Sequence, residues 1–293
     1  MSIRKKKQTA GKDSYFDPQE EKIRFRAKDW WKYLISLVLI VIYLFPFYVI
    51  INVSLKSFTD TTSRIQFPAE IYWGNYESVI SSGDIFMGIK NSLIITVFVL
   101  LVEIVLGCMA AYALARNQSK LNEVVRSLIM SVMMITPLTI LVGVYSTMSA
   151  IHATSTYWGM VVVLSAFGLP LTILLYTNFI SSIPTSLDEA AAIDGATPVK
   201  SFFYITLPLL MPAISSAVII NLIGGLKLYD VVVSLSGGGP GYETSSLSFY
   251  INNRYFQAEQ AGYASAVGVV MFLFILICSL IVNHYFKKRE VEL

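Results

Sequence analysis

The sequence predicts an all-α integral membrane protein with six transmembrane helices and both termini on the cytoplasmic side. Hydrophobic residues make up 55% of the 293 residues, charged residues only 14%, and the mean hydropathy is +0.63. Long uncharged runs recur along the chain, and a helix that crosses a bilayer needs about 20 mostly apolar residues. The distribution of Lys and Arg then gives the orientation.

The uncharged runs, taken in order, divide into six spans. The run between Arg126 and Asp188 is too long for one helix, and the polar stretch 149–156 divides it into two. The second span keeps one charged residue, Glu103, near its middle. The predicted spans are residues 33–55, 91–115, 127–149, 158–181, 211–233 and 262–284.

Basic residues set the predicted topology. A basic tail of residues 1–32 precedes the membrane domain 33–286, and a short tail of residues 287–293 follows it. With both termini inside, 17 of the 22 Lys and Arg residues lie on the inner side and five on the outer side, as the positive-inside rule requires. We expect the N-terminal tail to remain uncleaved and to lie near anionic lipid, because it is too long and polar for a signal-peptide n-region.

A polar-interrupted segment, residues 184–212, lies between the fourth and fifth spans, on the inner side of this topology. Pro184 stops the preceding helix, and Ser186 to Glu189 reads as a capping box that starts a new one. Gly195 stands where a helix C-cap is expected, and Thr197-Pro198 reads as an N-cap with proline at the first helical position. We therefore predict two short helices with a bend at Gly195, the second displaying apolar side chains at 202, 203 and 205 to a partner.

The chain lacks the usual residue sets for catalysis. No phosphate-binding GxxxxGK[ST], HExxH or GxSxG motif is present, and neither histidine has a ligand or nucleophile at useful spacing. Cys108 and Cys278 lie inside predicted spans, so we expect them to be small, buried, apolar side chains rather than a disulfide. The net charge of +3 is accounted for by the basic tail and does not indicate nucleic acid binding.

The 184–212 segment also fits the spacing Glu-Ala-Ala, three residues, Gly, nine residues, Ile-x-Leu-Pro at all seven fixed positions. It resembles the cytoplasmic loop by which ATP-binding-cassette (ABC) import permeases contact their ATPase subunits, which implies a type I ABC importer permease with a two-helix coupling loop. The resemblance assigns ATPase coupling to Glu189, Ala190, Ala191, Asp194, Gly195, Ala196, Phe202, Phe203, Ile205, Leu207 and Pro208.

Further stretches between residues 33 and 286 are similar to the carbohydrate branch of these permeases. Some are similar to the second permease of maltose-type systems, and others, including the glycine-rich stretch 236–241 and residues 262–266, to the first. Which half of a permease pair the chain represents stays open. The stretches are 44–47, 54–58, 91–94, 111–116, 229–230, 236–241 with Thr244, and 262–266.

The resemblance implies an ATP-driven, binding-protein-dependent importer of a sugar or oligosaccharide in a bacterial or archaeal cell membrane. Its implied partners are a homologous second permease, two ABC ATPase subunits, an extracellular solute-binding protein and membrane lipid, with no nucleic acid. The chain would bind no cofactor itself, since ATP and Mg are used by the ATPase. Alternatives are a permease for a non-sugar solute of the same superfamily and a membrane-embedded enzyme, which the missing catalytic set disfavours.

Polar residues within the spans are candidates for the substrate path, because ionisable groups there usually face the bundle interior or a watery cavity. Lys227 and Asp230 are three residues apart and could equally well only neutralise each other on one helix face, or extend their charged ends to the outer membrane surface. The asparagines could equally serve as polar contacts between helices. The candidates are Glu103, Asn178, Asn221, Lys227, Tyr229 and Asp230.

Overall fold

The computed structural model describes residues 30–117, 119–239 and 244–288, and all regular structure within these ranges is helical. The basic tail up to residue 29, Pro240 and Gly241 of the glycine-rich stretch, and residues 289–293 lie outside the described residues. The chain divides into two units, Met1–Phe47 and Tyr48–Leu293.

The described part of the first unit is the beginning of helix α1, which runs from Trp30 to Ser54. Pro46 lies inside the helix without interrupting it. The apolar side chains of this part are mostly exposed.

The second unit is centred on two long helices, α3 (Gly83–Arg116) and α6 (Tyr157–Ser182), preceded by the short α2 (Gly74–Ser81). They approach closely at Gly107, where an added Cβ would lie 2.8 Å from the Thr172 methyl group. Small residues at such contacts are typical of helix packing in membranes. Helices α10 (Met211–Leu226) and α13 (Ala261–Lys287) complete the bundle.

The predicted third span is broken. Instead of one helix over 127–149, α4 (Lys120–Met133) and α5 (Pro137–Ala150) meet at an angle of 101°. Pro137 is the first residue of α5, and Thr136 before it adopts an extended conformation, with φ −66° and ψ 126°. A residue that precedes proline is sterically disfavoured in the α region, so the helix ends here.

The predicted fifth span, 211–233, is also wrong in its extent. Helix α10 ends at Leu226, and a separate short helix, α11 (Asp230–Leu235), follows after three non-helical residues. On the other side, the helical stretch Pro198–Leu209 leads into Met211–Leu226 with a bend of 65°. Among the described residues, four single helices are long and apolar enough to cross a membrane, and up to six spans result if each bent pair counts as one.

The remaining helices are short. Helix α7 covers Ser186–Ile193; α8 (Pro198–Ser201) continues through a π turn at Phe202–Thr206 into α9 (Leu207–Leu209). Helix α12 (Leu247–Asn252) is likewise followed by a π turn, Asn253–Gln257. The 184–212 segment thus contains the two short helical stretches that the sequence predicts, with the second one lengthened by the π turn.

Candidate functional site

The first helix of the 184–212 segment begins without the predicted capping box. Thr185 precedes the helix and caps no backbone N–H with its side chain. Instead, the N–H of Leu187 donates to the Pro184 carbonyl at 3.3 Å, and the N–H of Glu189 to the Thr185 carbonyl at 3.0 Å. Ser186 is therefore the first helical residue rather than the cap, because Pro184 and Thr185 already supply acceptors for the first turn.

The bend at Gly195 is confirmed. Its φ is +83°, in the left-handed region, and the N–H of Ala196 donates to the Ala191 carbonyl at 2.9 Å. The N–H of Gly195 donates to the Ala192 carbonyl at 3.1 Å, which completes a Schellman motif. The predicted N-cap is confirmed as well, since Thr197 Oγ1 accepts from the N–H of Lys200 at 3.4 Å.

The apolar surface of the segment differs from the prediction. Phe202 is half-buried and lies edge-on to Tyr112 of α3, with ring centroids 5.1 Å apart. Ile193 and Tyr204, which sequence reasoning missed, are 86% and 81% exposed. The π turn changes the direction of successive side chains, so simple helical spacing does not give the exposed set. The large apolar or aromatic side chains exposed in the segment are Leu187, Ile193, Val199, Phe203 and Tyr204.

The other predicted coupling residues lie within the same segment. Most of those around the bend are exposed, whereas the later ones pack partly against the bundle. Glu189, Ala190, Asp194 and Gly195 are exposed; Ala196, Ile205, Leu207 and Pro208 are half-buried; Ala191 is buried.

Glu103 lies in the interior, as its sequence position predicts. Its side chain is 2% exposed, and Asn221 Nδ2 of α10 donates to Glu103 Oε2 at 2.6 Å. The same amide donates to Thr172 Oγ1 of α6 at 3.1 Å. Gly168 makes room for the carboxylate, because a Cβ there would lie 1.8 Å from Glu103 Oε1. Three helices are joined by this polar contact, and Thr172 and Gly168 were not singled out in the sequence.

Lys227, Tyr229 and Asp230 line one open cavity of about 270 Å³, together with Pro137 and Phe167. The alternative in which Lys227 and Asp230 neutralise each other on one helix face does not hold, because the two residues form no ion pair and no continuous helix joins them. The helix ends before Lys227, and Tyr229 takes a non-helical conformation with φ −133° and ψ −59°. The backbone break removes the spacing of three helical residues on which the pairing depended.

Asn178 lies apart from this cavity and from Glu103. Its side chain is exposed, and its Oδ1 accepts from Arg126 Nη2 of α4 at 2.9 Å.

A second cavity of about 370 Å³ is lined by residues that include Tyr250, Arg254 and Tyr263, which sequence reasoning also missed. The Arg254 guanidinium lies 5.1 Å and 5.8 Å from the ring centroids of the two tyrosines. Among the described ranges, no three His, Cys, Asp or Glu side chains group as metal ligands.

Residues 103–291 match the family described as binding-protein-dependent transport system inner membrane component. The chain is 38% identical over 189 residues to the melibiose/raffinose/stachyose import permease protein MelC of Bacillus subtilis, covering 64% of this chain and 68% of that protein. It is 31% identical over 282 residues to the multiple sugar-binding transport system permease protein MsmF of Streptococcus mutans, covering 89% and 96%.

The fold resembles a solved structure. A crystal structure of a bacterial ABC transporter involved in the import of the acidic polysaccharide alginate superimposes with a TM-score of 0.72. The superposition covers 89% of this chain and 99% of that one at 20% sequence identity. At that identity the likeness concerns the fold.

Proposed function

The chain belongs to the family of binding-protein-dependent transport system inner membrane components, and from this premise we propose that it is the membrane-spanning subunit of an ATP-driven importer that carries a sugar or oligosaccharide into the cytoplasm. The observation that carries the proposal is the near full-length similarity to a sugar permease, at 31% identity over 282 residues. The chain itself is a permease, and a separate ATPase uses ATP and Mg.

The proposed topology has six spans with both termini inside. It rests on four long apolar helices and two bent helix pairs, and on the split of 17 basic residues against five. In this topology the 184–212 segment and Lys200 face the cytoplasm. The protein is then a multi-pass component of a bacterial or archaeal cell membrane.

The proposed ATPase contact is the exposed part of the 184–212 segment. Ile193, Val199, Phe203 and Tyr204 are apolar or aromatic and between 56% and 86% exposed, which is unusual for side chains that face water. The bend at Gly195 sets the two short helices at a fixed angle, so they can enter a cleft together. Two ATPase subunits would serve the complete transporter, one for each permease.

A second, homologous permease is the proposed partner within the membrane. Residues of the bent pair α4–α5 are almost all exposed, including Val142 at 81% and Met134 at 86%. The cavity at Lys227, Tyr229 and Asp230 is open and bordered by α5 of this pair. A partner that covers α5 would enclose the cavity as a path whose amine, carboxylate and phenol groups can hydrogen-bond sugar hydroxyls. An extracellular binding protein would deliver the sugar.

Transport by the reconstituted complex tests this function. The chain, a second permease and the ATPase are placed in liposomes that contain ATP, with the binding protein and radiolabelled raffinose outside. We expect uptake of the sugar that requires ATP and the binding protein. Uptake of methionine but of no sugar in a panel would favour the alternative, a non-sugar permease, and the absence of any ATP-dependent uptake would contradict the proposal.

A further inference from the structure

The end of helix α3 is joined to the 184–212 segment by an ion pair. Arg116, the last residue of α3, places Nη2 2.9 Å from Asp188 Oδ2 in helix α7. The two side chains are only 14% and 22% exposed. Arg116 Nη1 also donates to the Ile183 carbonyl at 3.0 Å, so the guanidinium contacts the chain just before the segment begins to turn.

The same carboxylate reaches the second helical stretch of the segment. Asp188 Oδ1 accepts a hydrogen bond from Ser201 Oγ at 2.6 Å, and Ser201 is buried. Asp188 precedes the bend at Gly195 and Ser201 follows it, so one carboxylate holds both arms of the bend and α3 together. Charge-assisted hydrogen bonds of this kind are shorter and stronger than neutral ones.

A ring contact lies beside the ion pair. Tyr112 is one helical turn before Arg116 on α3, and its ring meets that of Phe202 with centroids 5.1 Å apart. Residues four apart share a helix face. The same face of α3 therefore meets the segment through both a charge and a ring, whereas the side chains exposed for a partner, Phe203 and Tyr204, follow directly in the chain.

Helix α3 extends from this contact into the core of the bundle. Arg116 lies 13 residues after Glu103, which corresponds to roughly 20 Å along a helix that rises 1.5 Å per residue. Glu103 is the residue that bonds to α10 through Asn221. One continuous helix, α3, thus links the 184–212 segment to the polar contact among α3, α6 and α10, so a displacement of the segment can be transmitted to that contact.

We propose that Arg116, Asp188 and Ser201 form a tie that transmits movement of the 184–212 segment to helix α3. All three act as positioning residues: they hold the angle of the bend and couple it to the bundle, and they do not form the ATPase-contacting surface. This inference rests on the proposed function, in which the ATPase moves the segment. It assigns transmission and docking to different side chains.

The experiment uses the complete transporter with Arg116→Gln, Asp188→Asn and the double variant. Asp188→Asn keeps the size of the side chain, Arg116→Gln shortens it, and each substitution removes the charge. We expect each single variant to retain the ATPase on co-purification and to keep basal ATP hydrolysis. Stimulation of hydrolysis by sugar-loaded binding protein, and sugar uptake, should fall about tenfold, the scale of a lost charge-assisted contact. Lys120→Gln, which removes an exposed cation at the start of α4, is the matched control and should remain unaffected.

The double variant separates a tie from two independent effects. If the two residues act through each other, the double variant is no more defective than the worse single variant. Additive defects, unchanged stimulation in both single variants, or loss of the ATPase on co-purification would each overturn the tie. Failure of the unmodified chain to bind any ATPase would instead contradict the proposed function.

Ser201→Ala keeps the inference testable if the charged variants do not fold. It removes only the hydroxyl that joins the second arm to Asp188. We expect a smaller loss of stimulated hydrolysis, about threefold, with ATPase binding preserved. Unchanged stimulation in this variant would overturn the role of the tie in holding the bend.

Discussion

Substitution of Gly195 tests the bend through backbone conformation alone. The residue has φ +83°, and a Cβ built on it would meet no heavy atom of the chain within 4 Å. An added Cβ therefore causes no clash within this protein, and its cost comes from the left-handed conformation, about 1–2 kcal/mol for an ordinary residue. That cost corresponds to a roughly 5- to 30-fold loss in the population of the bent segment.

The size of the effect should depend on the residue introduced. Asn tolerates the left-handed region, whereas a β-branched residue there is a genuine outlier. We expect co-purification of the ATPase and sugar-stimulated ATP hydrolysis to decrease in the order Gly195→Asn, Gly195→Ala, Gly195→Val. Gly268→Ala in α13 is the matched control, because its Cβ also meets nothing within 4 Å and its φ is not positive.

Two results would refute the conformational reasoning. If Gly195→Val retains the ATPase and the stimulated hydrolysis of the unmodified protein, the bend is not needed for coupling. If Gly195→Asn is as defective as Gly195→Val, the defect follows the presence of a side chain against the partner and not the sign of φ.

Three further predictions concern topology and the buried carboxylate. Single cysteines at Lys200 and Thr62, both exposed, should react with a membrane-impermeant thiol reagent from the inside and the outside respectively; labelling of Lys200→Cys from outside would contradict the proposed docking surface. Glu103→Leu removes the carboxylate that accepts a hydrogen bond from the Asn221 amide. Its free energy of unfolding should be about 1–3 kcal/mol lower than that of Glu103→Gln, which keeps an acceptor. Equal stability of the two variants would refute the role of that hydrogen bond. Gly168→Ala should displace the Glu103 carboxylate and lower the free energy of unfolding by about 1–3 kcal/mol. This destabilisation should be smaller when Glu103→Ala is also present. An equal destabilisation in both backgrounds would mean that the strain does not arise from the Glu103 carboxylate.

Local chemistry made the 184–212 segment the most predictable part of the chain. The bend could be predicted because glycine, here Gly195, readily adopts the positive φ that a helix C-cap requires. The start of the second helix could be predicted because Thr197 is an N-cap residue and Pro198 favours the first helical position. The role of Asp188 could not be predicted in the same way. It resembles part of a capping box in sequence, but its partner Arg116 comes from 72 residues earlier, and only the packed bundle brings the two together.

The membrane helices show the same division between local and tertiary information. Apolar length located the four helices long enough to span a membrane and the two bent pairs among the described residues, and the position of Glu103 predicted its burial. The break before Pro137 could be expected from steric exclusion, but the angle of 101° could not, because it depends on how α4 and α5 pack. The possible pairing of Lys227 with Asp230 depended on a continuous helix, but the helix ends at Leu226.

The π turn at Phe202–Thr206 has a consequence for insertions and deletions. It closes a wider loop than an α turn, with the N–H of Leu207 donating to the Phe202 carbonyl, and so holds one residue more. Loss of a residue inside the turn can be absorbed by its conversion to α-helix, which leaves Leu207 and Pro208 in register. Loss of a residue from α7 would rotate everything before the bend by about 100° relative to its contacts. The backbone should therefore accommodate the loss of one residue at 203–205 more readily than at 186–193, but deletion of Phe203 or Tyr204 also removes a side chain of the proposed ATPase contact.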